Sequence, residues 1–377
     1  MQRTRTPLES LSAVASRLLE DIVATEGDTP PPWDDARFEE HSLALLRAQY
    51  AAVPAYRSWC DHELRARGKR LEDVRSWQQI PALPIAAFKR LQVTPTGGQT
   101  AAEWWSSGTT GAGTSRHTLH GLELYEASIS AGVRRALLPD ESMRERPLLA
   151  MQLAPPAGDA PHSSLSHMLD LVRTRMCDDG GAWVNGSFEL DAWGLWTALA
   201  TVQRPVLLLA TSFALVQLLD AAPEERVSLP VGSRVMDTGG YKGRSREVSR
   251  EDLLAAMEAR LGVPGGMCEN EYGMSELSTQ AWSGSVAAHL AAPLTASGTG
   301  RWQPPWMRTL VVDPMSLTPV ADGAAGLLVH HDLANVWSCA AVRTEDLGVR
   351  RGESYELLGR APGAELRGCS LQLEDVL

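Results

Sequence analysis

Apolar residues recur at helical spacing over residues 8–25 and again over 37–52, which predicts two amphipathic helices. A proline-rich connector, TPPPWD at 29–34, separates them, and Pro81 and Pro84 in IPALPIAAFKR end the helical pattern. The first ninety residues read as a helical section leading into a core. The pattern then alternates. Residues 119–138 read as a helix, 147–153 as a short buried strand, and 205–211 (PVLLLAT) as the strongest strand in the chain, with a helix following through Leu219. Residues 233–237 are a strand candidate running into a glycine-rich turn. Ser249, with Asp252 three residues on, nearly matches a capping box and predicts a helix start. Residues 308–313 and 326–331 read as later strands. Buried strands alternating with helices indicate α/β layering.

Composition narrows the function classes. The chain has 377 residues, 44% hydrophobic and 21% charged, enough to bury a sizeable core. A formal net charge of -11 argues against a general nucleic-acid binder. No apolar run approaches the ~20 residues that span a bilayer. Acidic residues interrupt the start early, so a secretory signal is not expected. Cys60, Cys177, Cys268, Cys339 and Cys369 show no CxxC spacing, which fits neither a zinc ribbon nor a disulfide framework and points to a reduced cytoplasm. Lysine is confined to Lys69, Lys89 and Lys242.

Four segments carry candidate chemistry. Ser106-Ser107-Gly108-Thr109-Thr110-Gly111 interleaves hydroxyls with glycines, which lets backbone N–H groups approach a phosphate; a polar loop has the same composition. In Asn270-Glu271-Tyr272-Gly273-Met274-Ser275-Glu276, Glu276 is a candidate Mg²⁺ carboxylate and Tyr272 a flat face for a base or acyl group; a turn with solvated acids is the alternative. Gly239-Gly240-Tyr241-Lys242 suits either a planar ligand or a plain glycine turn. In Arg343-Thr344-Glu345-Asp346-Leu347-Gly348, Asp346 could accept ribose hydroxyls, and Arg360 further on could fork to phosphate; salt-bridged turns look the same. His162 and His167 lack enough neighbouring ligands for zinc and read as loop polarity. Trp104 and Trp105 serve equally as a pocket wall or as core.

The order SSGTTG, GGYKG, YGMSE, TEDLG, GR resembles the adenylate-forming superfamily of acyl and aryl ligases. With IPALPIAAFK, HSSLSHM, GGYKGRSREVSREDL, NEYGMSELSTQ and GRAPGAELRGCSL, the chain looks most similar to the acyl-protein synthetase (long-chain-fatty-acid–luciferin-component ligase) family, over residues 37–371. The resemblance implies an α/β fold like the N-terminal part of adenylate-forming enzymes: a multilayer of parallel sheets flanked by helices, with a small β-rich C-terminal part. The expected organisation is a helical section at 1–90, an adenylate-forming core at 91–340, and a short C-terminal subdomain and tail at 341–377.

It also implies a function. ATP and Mg²⁺ would activate a carboxylic acid, fatty or aryl, as an acyl-adenylate, and the acyl group would pass to a thiol. By motif, Ser107, Gly108, Thr109, Thr110 and Gly111 would clasp the phosphates, with Ser106 at the loop entry. Gly239, Gly240, Tyr241, Tyr272 and Gly273 would line the adenine and acyl pocket. Ser275 would contact phosphate, Glu276 hold Mg²⁺, Asp346 bind ribose and Arg360 close on the nucleotide. Cys369 matches the family's acyl-accepting cysteine, with a buried structural cysteine as the alternative. The separate C-terminal lid domain of full-length ligases, with its lysine, is expected to be absent, since no lysine follows Lys242. Lys242 or Lys89 would then supply positive charge. Expected acceptors are a reductase, an acyl carrier protein or coenzyme A. Two other readings stand beside this one: acyl transfer between coenzyme A and a carrier protein without ATP, and a non-catalytic binding subunit.

Overall fold

The computed structural model describes residues 5–26, 33–106, 113–140, 146–239, 248–292, 294 and 300–361. Its helices are α1 (Pro7–Ala24), α2 (Asp35–Ala52), α3 (Pro54–Ala66), α4 (Glu123–Ala136), α5 (Ser164–Leu171), α6 (Ala192–Thr201), α7 (Ser212–Ala221), α8 (Arg250–Leu261) and α9 (Ser285–His289). Its strands are β1 (Leu83–Pro84), β2 (Ala102–Trp105), β3 (Arg116–Leu119), β4 (Leu149–Leu153), β5 (Asp178–Ala182), β6 (Val206–Thr211), β7 (Arg234–Thr238), β8 (Cys268–Tyr272), β9 (Ala281–Trp282), β10 (Met307–Val312), β11 (Ala325–Asp332), β12 (Ala341–Arg351) and β13 (Ser354–Arg360). The chain divides into two compact units. One comprises residues 1–131, 274–279 and 297–377; the other comprises 132–273 and 280–296.

In the first unit, α1 starts at a full capping box. The Thr6 hydroxyl accepts from Glu9 N, and the Glu9 carboxylate accepts from Thr6 N at 2.7 Å, with Pro7 at the first helical position. Its buried stripe of Leu11, Ala15, Leu18 and Ile22 packs with Phe38 and Leu45 of α2. Helix α3 starts at Pro54, and Tyr56, Trp59 and Cys60 bury into a cluster with Phe88, Leu277 and Val342. A mostly antiparallel sheet runs β1-β12-β11-β10, with β13 pairing on β12. Strands β2 and β3 form a separate antiparallel pair.

The second unit is built on a six-stranded sheet ordered β5-β4-β6-β7-β8-β9, parallel from β5 through β8. Residues 206–210 of β6 are all buried, as an apolar run in a covered parallel strand requires. Each such aliphatic side chain contributes roughly 1.5–3 kcal/mol. Helix α8 is N-capped by Ser249, whose hydroxyl accepts from Asp252 N at 3.0 Å. Its C-cap, Gly262, is left-handed at φ 68°, a conformation that favours glycine.

The helix predicted over 119–138 begins only at Glu123. Residues 116–119 alternate exposed and covered positions and pair as β3 with β2, so the β-period wins there.

Candidate active site

The hydroxyl–glycine loop springs from the β2–β3 pair. Ser106 N donates to Ser115 O and Ser115 N donates to Ser106 Oγ, each at 3.1 Å, so the two serines close the loop at its base. Ser107, Gly108, Thr109, Thr110 and Gly111 lie outside the described residues. The neighbouring tryptophans split. Trp104 is buried against Tyr125, while Trp105 is 41% exposed with the Arg116 guanidinium over its ring. Trp104 thus serves the core.

Glu276 meets this loop base directly. Its carboxylate is buried and accepts the Ser115 hydroxyl hydrogen at Oε1. Burial pushes the Glu276 carboxyl above the usual carboxylate range; the Ser115 hydrogen bond and the charges of Lys89 and Arg360 oppose that. A buried carboxylate disfavoured as a free anion suits a hard cation. One carboxylate plus substrate phosphates is a common Mg²⁺ arrangement, so the residues fit that ion. Next to it, Ser275 O accepts from His117 Nδ1–H at 2.8 Å, and Ser275 Oγ donates to Trp105 O at 3.4 Å. Burial holds the His117 imidazole down to about 4, so it is neutral at pH 7. Asn335 Nδ2 donates to Glu276 O at 2.9 Å.

Asp346 and Arg360 face each other across β12 and β13 in direct register. A hydroxyl from Thr344 accepts from Asp346 N at 3.0 Å. Cys369 lies outside the described residues.

The second unit gathers the remaining group at the C-terminal ends of two parallel strands. Gly239 follows β7 and Tyr272 ends β8, with Thr238 and Glu271 in register between them. Gly239 has φ 71°, and a Cβ built on it would meet nothing within 4 Å among the described residues. Beneath it, Asp237 is buried and held from three elements. Ser212 Oγ and Asn270 Nδ2 donate to Asp237 Oδ2 at 2.8 and 3.0 Å, and Arg250 pairs with Oδ1. Gly240, Tyr241 and Lys242 lie outside the described residues.

The structure therefore joins Ser106 and Glu276 through Ser115 in one hydrogen-bonded cluster, with Ser275 beside Glu276 in the chain, and it sets Asp346 opposite Arg360 at 3.9 Å, all within the first unit. In the second, Gly239 and Tyr272 each follow one member of the paired residues Thr238 and Glu271 on adjacent strands. Sequence reading missed Ser115 and Asn335. Ser115 stands four residues past Gly111, and Asn335 belongs to no motif. Among the described residues, no group of three His, Cys, Asp or Glu side chains is gathered as a metal site.

The fold is that of the adenylate-forming ligases. The chain superposes on an open conformation of 2-hydroxyisobutyryl-CoA ligase in complex with 2-HIB-AMP and CoA with a TM-score of 0.58 and 14% identity, covering 88% of this chain and 80% of that one. ATP-bound MatB from Rhodopseudomonas palustris aligns with a TM-score of 0.49 and 15% identity over 77% of this chain and 52% of its own. In sequence, the chain is similar to the long-chain-fatty-acid–luciferin-component ligase of Aliivibrio fischeri, 31% identical over 83 residues. That stretch is 20% of this chain and 22% of the ligase, so the match spans about a fifth of the curated relative. No family model matches the chain.

Proposed function

We propose that this protein activates a carboxylic acid with ATP and transfers the acyl group to a thiol. The observation that carries this reading is the bond network from the base of the hydroxyl–glycine loop to Glu276, through Ser106 and Ser115. On this reading the residues that open and follow the phosphate-binding segment, Ser106 and Ser115, belong to one cluster with the cation-binding carboxylate, as a nucleoside triphosphate needs.

In the first step a carboxylate oxygen attacks the α-phosphorus. The new O–P bond forms as the bond from the α-phosphorus to the bridging oxygen breaks, and pyrophosphate leaves with that electron pair. The reaction brings two anions together, so the protein contributes position and positive charge, with no nucleophile of its own in this step. Ser107 to Gly111 hold the phosphates, Asp346 the ribose, and Arg360 neutralises charge on the phosphates. Bound Mg²⁺ at Glu276 would supply further charge neutralisation of the phosphates. Gly239, Gly240, Tyr241, Tyr272 and Gly273 are the proposed adenine- and acyl-binding residues, and Lys242 or Lys89 supplies positive charge. In the second step a thiolate attacks the acyl carbon and AMP leaves. Cys369 is the proposed first acceptor, handing the acyl group to a partner such as a reductase or carrier protein.

Coenzyme A as the acceptor thiol is the second reading, supported by the fold likeness to a CoA ligase. No described helix is long and apolar enough to cross a membrane. The test is intact-protein mass measurement after incubation with ATP, Mg²⁺ and a panel of acids, alongside acid-dependent ATP–pyrophosphate exchange. Exchange with an acyl adduct lost in Cys369→Ser supports transfer through the protein. Exchange without an adduct, and with an acyl-CoA product, supports the second reading. Absence of exchange with every acid overturns both.

A further inference from the structure

Ser115 is 1% exposed, and each of its polar groups is committed. Its backbone N–H and carbonyl both bond Ser106, at 3.1 Å, and its hydroxyl donates to Glu276 Oε1. One buried residue therefore bonds both to the loop base and to the carboxylate. On its far side, Glu276 is anchored through its backbone. Its carbonyl accepts from Asn335 Nδ2 at 2.9 Å, and Asn335 O accepts in turn from Gln49 Nε2 of α2 at 2.8 Å. Two residues on, Ser278 N donates to Asp332 Oδ2 at 2.8 Å and Thr279 Oγ1 to Asp332 Oδ1 at 2.6 Å. The backbone of the Glu276 turn is thus fixed by buried groups, and the carboxylate itself is oriented by two donors, the Ser115 hydroxyl and the residue's own backbone N–H.

We propose that Ser115 is a positioning residue for cation binding: its hydroxyl occupies Glu276 Oε1 and so leaves Oε2 to the metal, and its two bonds to Ser106 tie that carboxylate to the residue that opens the hydroxyl–glycine segment. This rests on the nucleotide reading above. The physical case is that a carboxylate rotor in a buried site has to be held by a donor to present one oxygen in a defined direction, and a hydroxyl donor to a charged acceptor is a strong hydrogen bond. Asn335 and Gln49 act behind it by holding the backbone from which the carboxylate extends.

The test measures binding. Mn²⁺ serves as a paramagnetic probe, titrated into the full chain in the presence of ATP and followed by electron paramagnetic resonance; ATP binding in EDTA is followed separately by calorimetry. Ser115→Ala is expected to weaken Mn²⁺ in the ATP complex about tenfold, the scale of one hydrogen bond to a charged group. Metal-free ATP binding should change by less than about twofold, because the Ser106–Ser115 backbone contacts survive the substitution. Ser115→Thr keeps the hydroxyl and is expected to restore Mn²⁺ affinity. Should Ser115→Ala not fold, Ser115→Cys, a weak donor of similar size, is read in the same assay with the same expectation. Equal Mn²⁺ affinity in wild type and the hydroxyl-free variant overturns the positioning role while leaving the nucleotide reading intact. A wild-type chain that binds neither ATP nor Mn²⁺·ATP overturns the nucleotide reading itself.

Discussion

Arg360 Nε stands 3.9 Å from Asp346 Oδ1 across the β12–β13 ladder, with the arginine side chain 69% exposed and the aspartate 16% exposed. Water screens most of a pair so placed, and it contributes only about 0–1 kcal/mol to stability. A nucleotide has more use for the two groups: ribose hydroxyls suit the shielded carboxylate, and phosphate suits a guanidinium free to move. Arg360→Ala is expected to leave the urea midpoint unchanged and to lower kcat for acid-dependent ATP–pyrophosphate exchange at least about tenfold, the loss of one charge-assisted contact. Asp346→Ala is expected to act mainly on the KM for ATP. Unchanged kinetics in both folded variants would remove the pair from the nucleotide site.

Local features of the fold were legible in the sequence because their causes are local. The PVLLLAT run became β6, and Ser249 followed by Asp252 became a capped helix start. The candidate motifs were also visible, since glycines and hydroxyls cluster within a few residues. What was hidden is the wiring between them. Ser115 and Glu276 are 161 residues apart and Gln49 and Asn335 are 286 apart, so no periodicity or spacing links them. Asn335 reads as an ordinary loop residue until its side chain is found bonding the carbonyls of Glu276 and Cys339, each at 2.9 Å. The β3 strand was lost for a different reason: four alternating residues directly before a helix are too few to show a period of their own.

The Ser249 cap allows a direct stability test. Its hydroxyl satisfies Asp252 N, and it also donates to the Asp252 carboxylate at 2.7 Å. In a full capping box the carboxylate would instead accept from the cap's own backbone N–H. Ser249→Ala is expected to cost about 1 kcal/mol in urea unfolding, and Ser249→Asp to retain most of the cap. A loss under a few tenths in the alanine variant would mean that the helix end draws its stability from elsewhere.

Three neighbours on β11 titrate with opposing effects on stability. Burial holds His330 and His331 down to about 3, and it lifts the Asp332 carboxyl to about 6 against the donors of Thr279, Ser278 and Ala334. The histidines stay neutral in the folded chain and protonate when unfolded. Their contribution is therefore present above the ordinary histidine value of 6.5 and is lost as pH falls below it. Asp332 does the reverse: its contribution is present below 3.8 and is lost as pH rises through about 6. Among the described residues neither ring nitrogen of His331 has a hydrogen-bond partner, and the ring sits edge-on to Trp77 at 5.0 Å, so phenylalanine can replace it without orphaning a described partner. In urea unfolding, His331→Phe is expected to gain on wild type as pH falls from about 7 to about 5. The stability of wild type over Asp332→Asn is expected to shrink as pH rises from about 4 to about 6.5. Differences that stay flat with pH would contradict the assigned protonation states.

Gly239 and Gly273 tolerate a side chain differently, and that separates backbone strain from crowding. At Gly239 a Cβ meets no described residue within 4 Å, and φ is 71°, so Gly239→Ala is expected to carry the left-handed strain of about 1–2 kcal/mol. At Gly273 a Cβ would lie 2.4 Å from Glu271 Oε1. The Glu271 carboxylate cannot simply swing aside, because the residue is buried and its Oε2 accepts the Thr238 hydroxyl. Gly273→Ala therefore displaces a buried carboxylate from its donor and is expected to cost about 1–3 kcal/mol. Removing the conflict with Glu271→Ala in the same chain should make the second substitution nearly free, a coupling that a double-mutant cycle by urea unfolding measures directly. Gly239→Asn, which tolerates the left-handed region, should recover part of the first loss. A Gly273→Ala cost that persists unchanged in the Glu271→Ala background would show that the glycine is required for some contact other than this carboxylate.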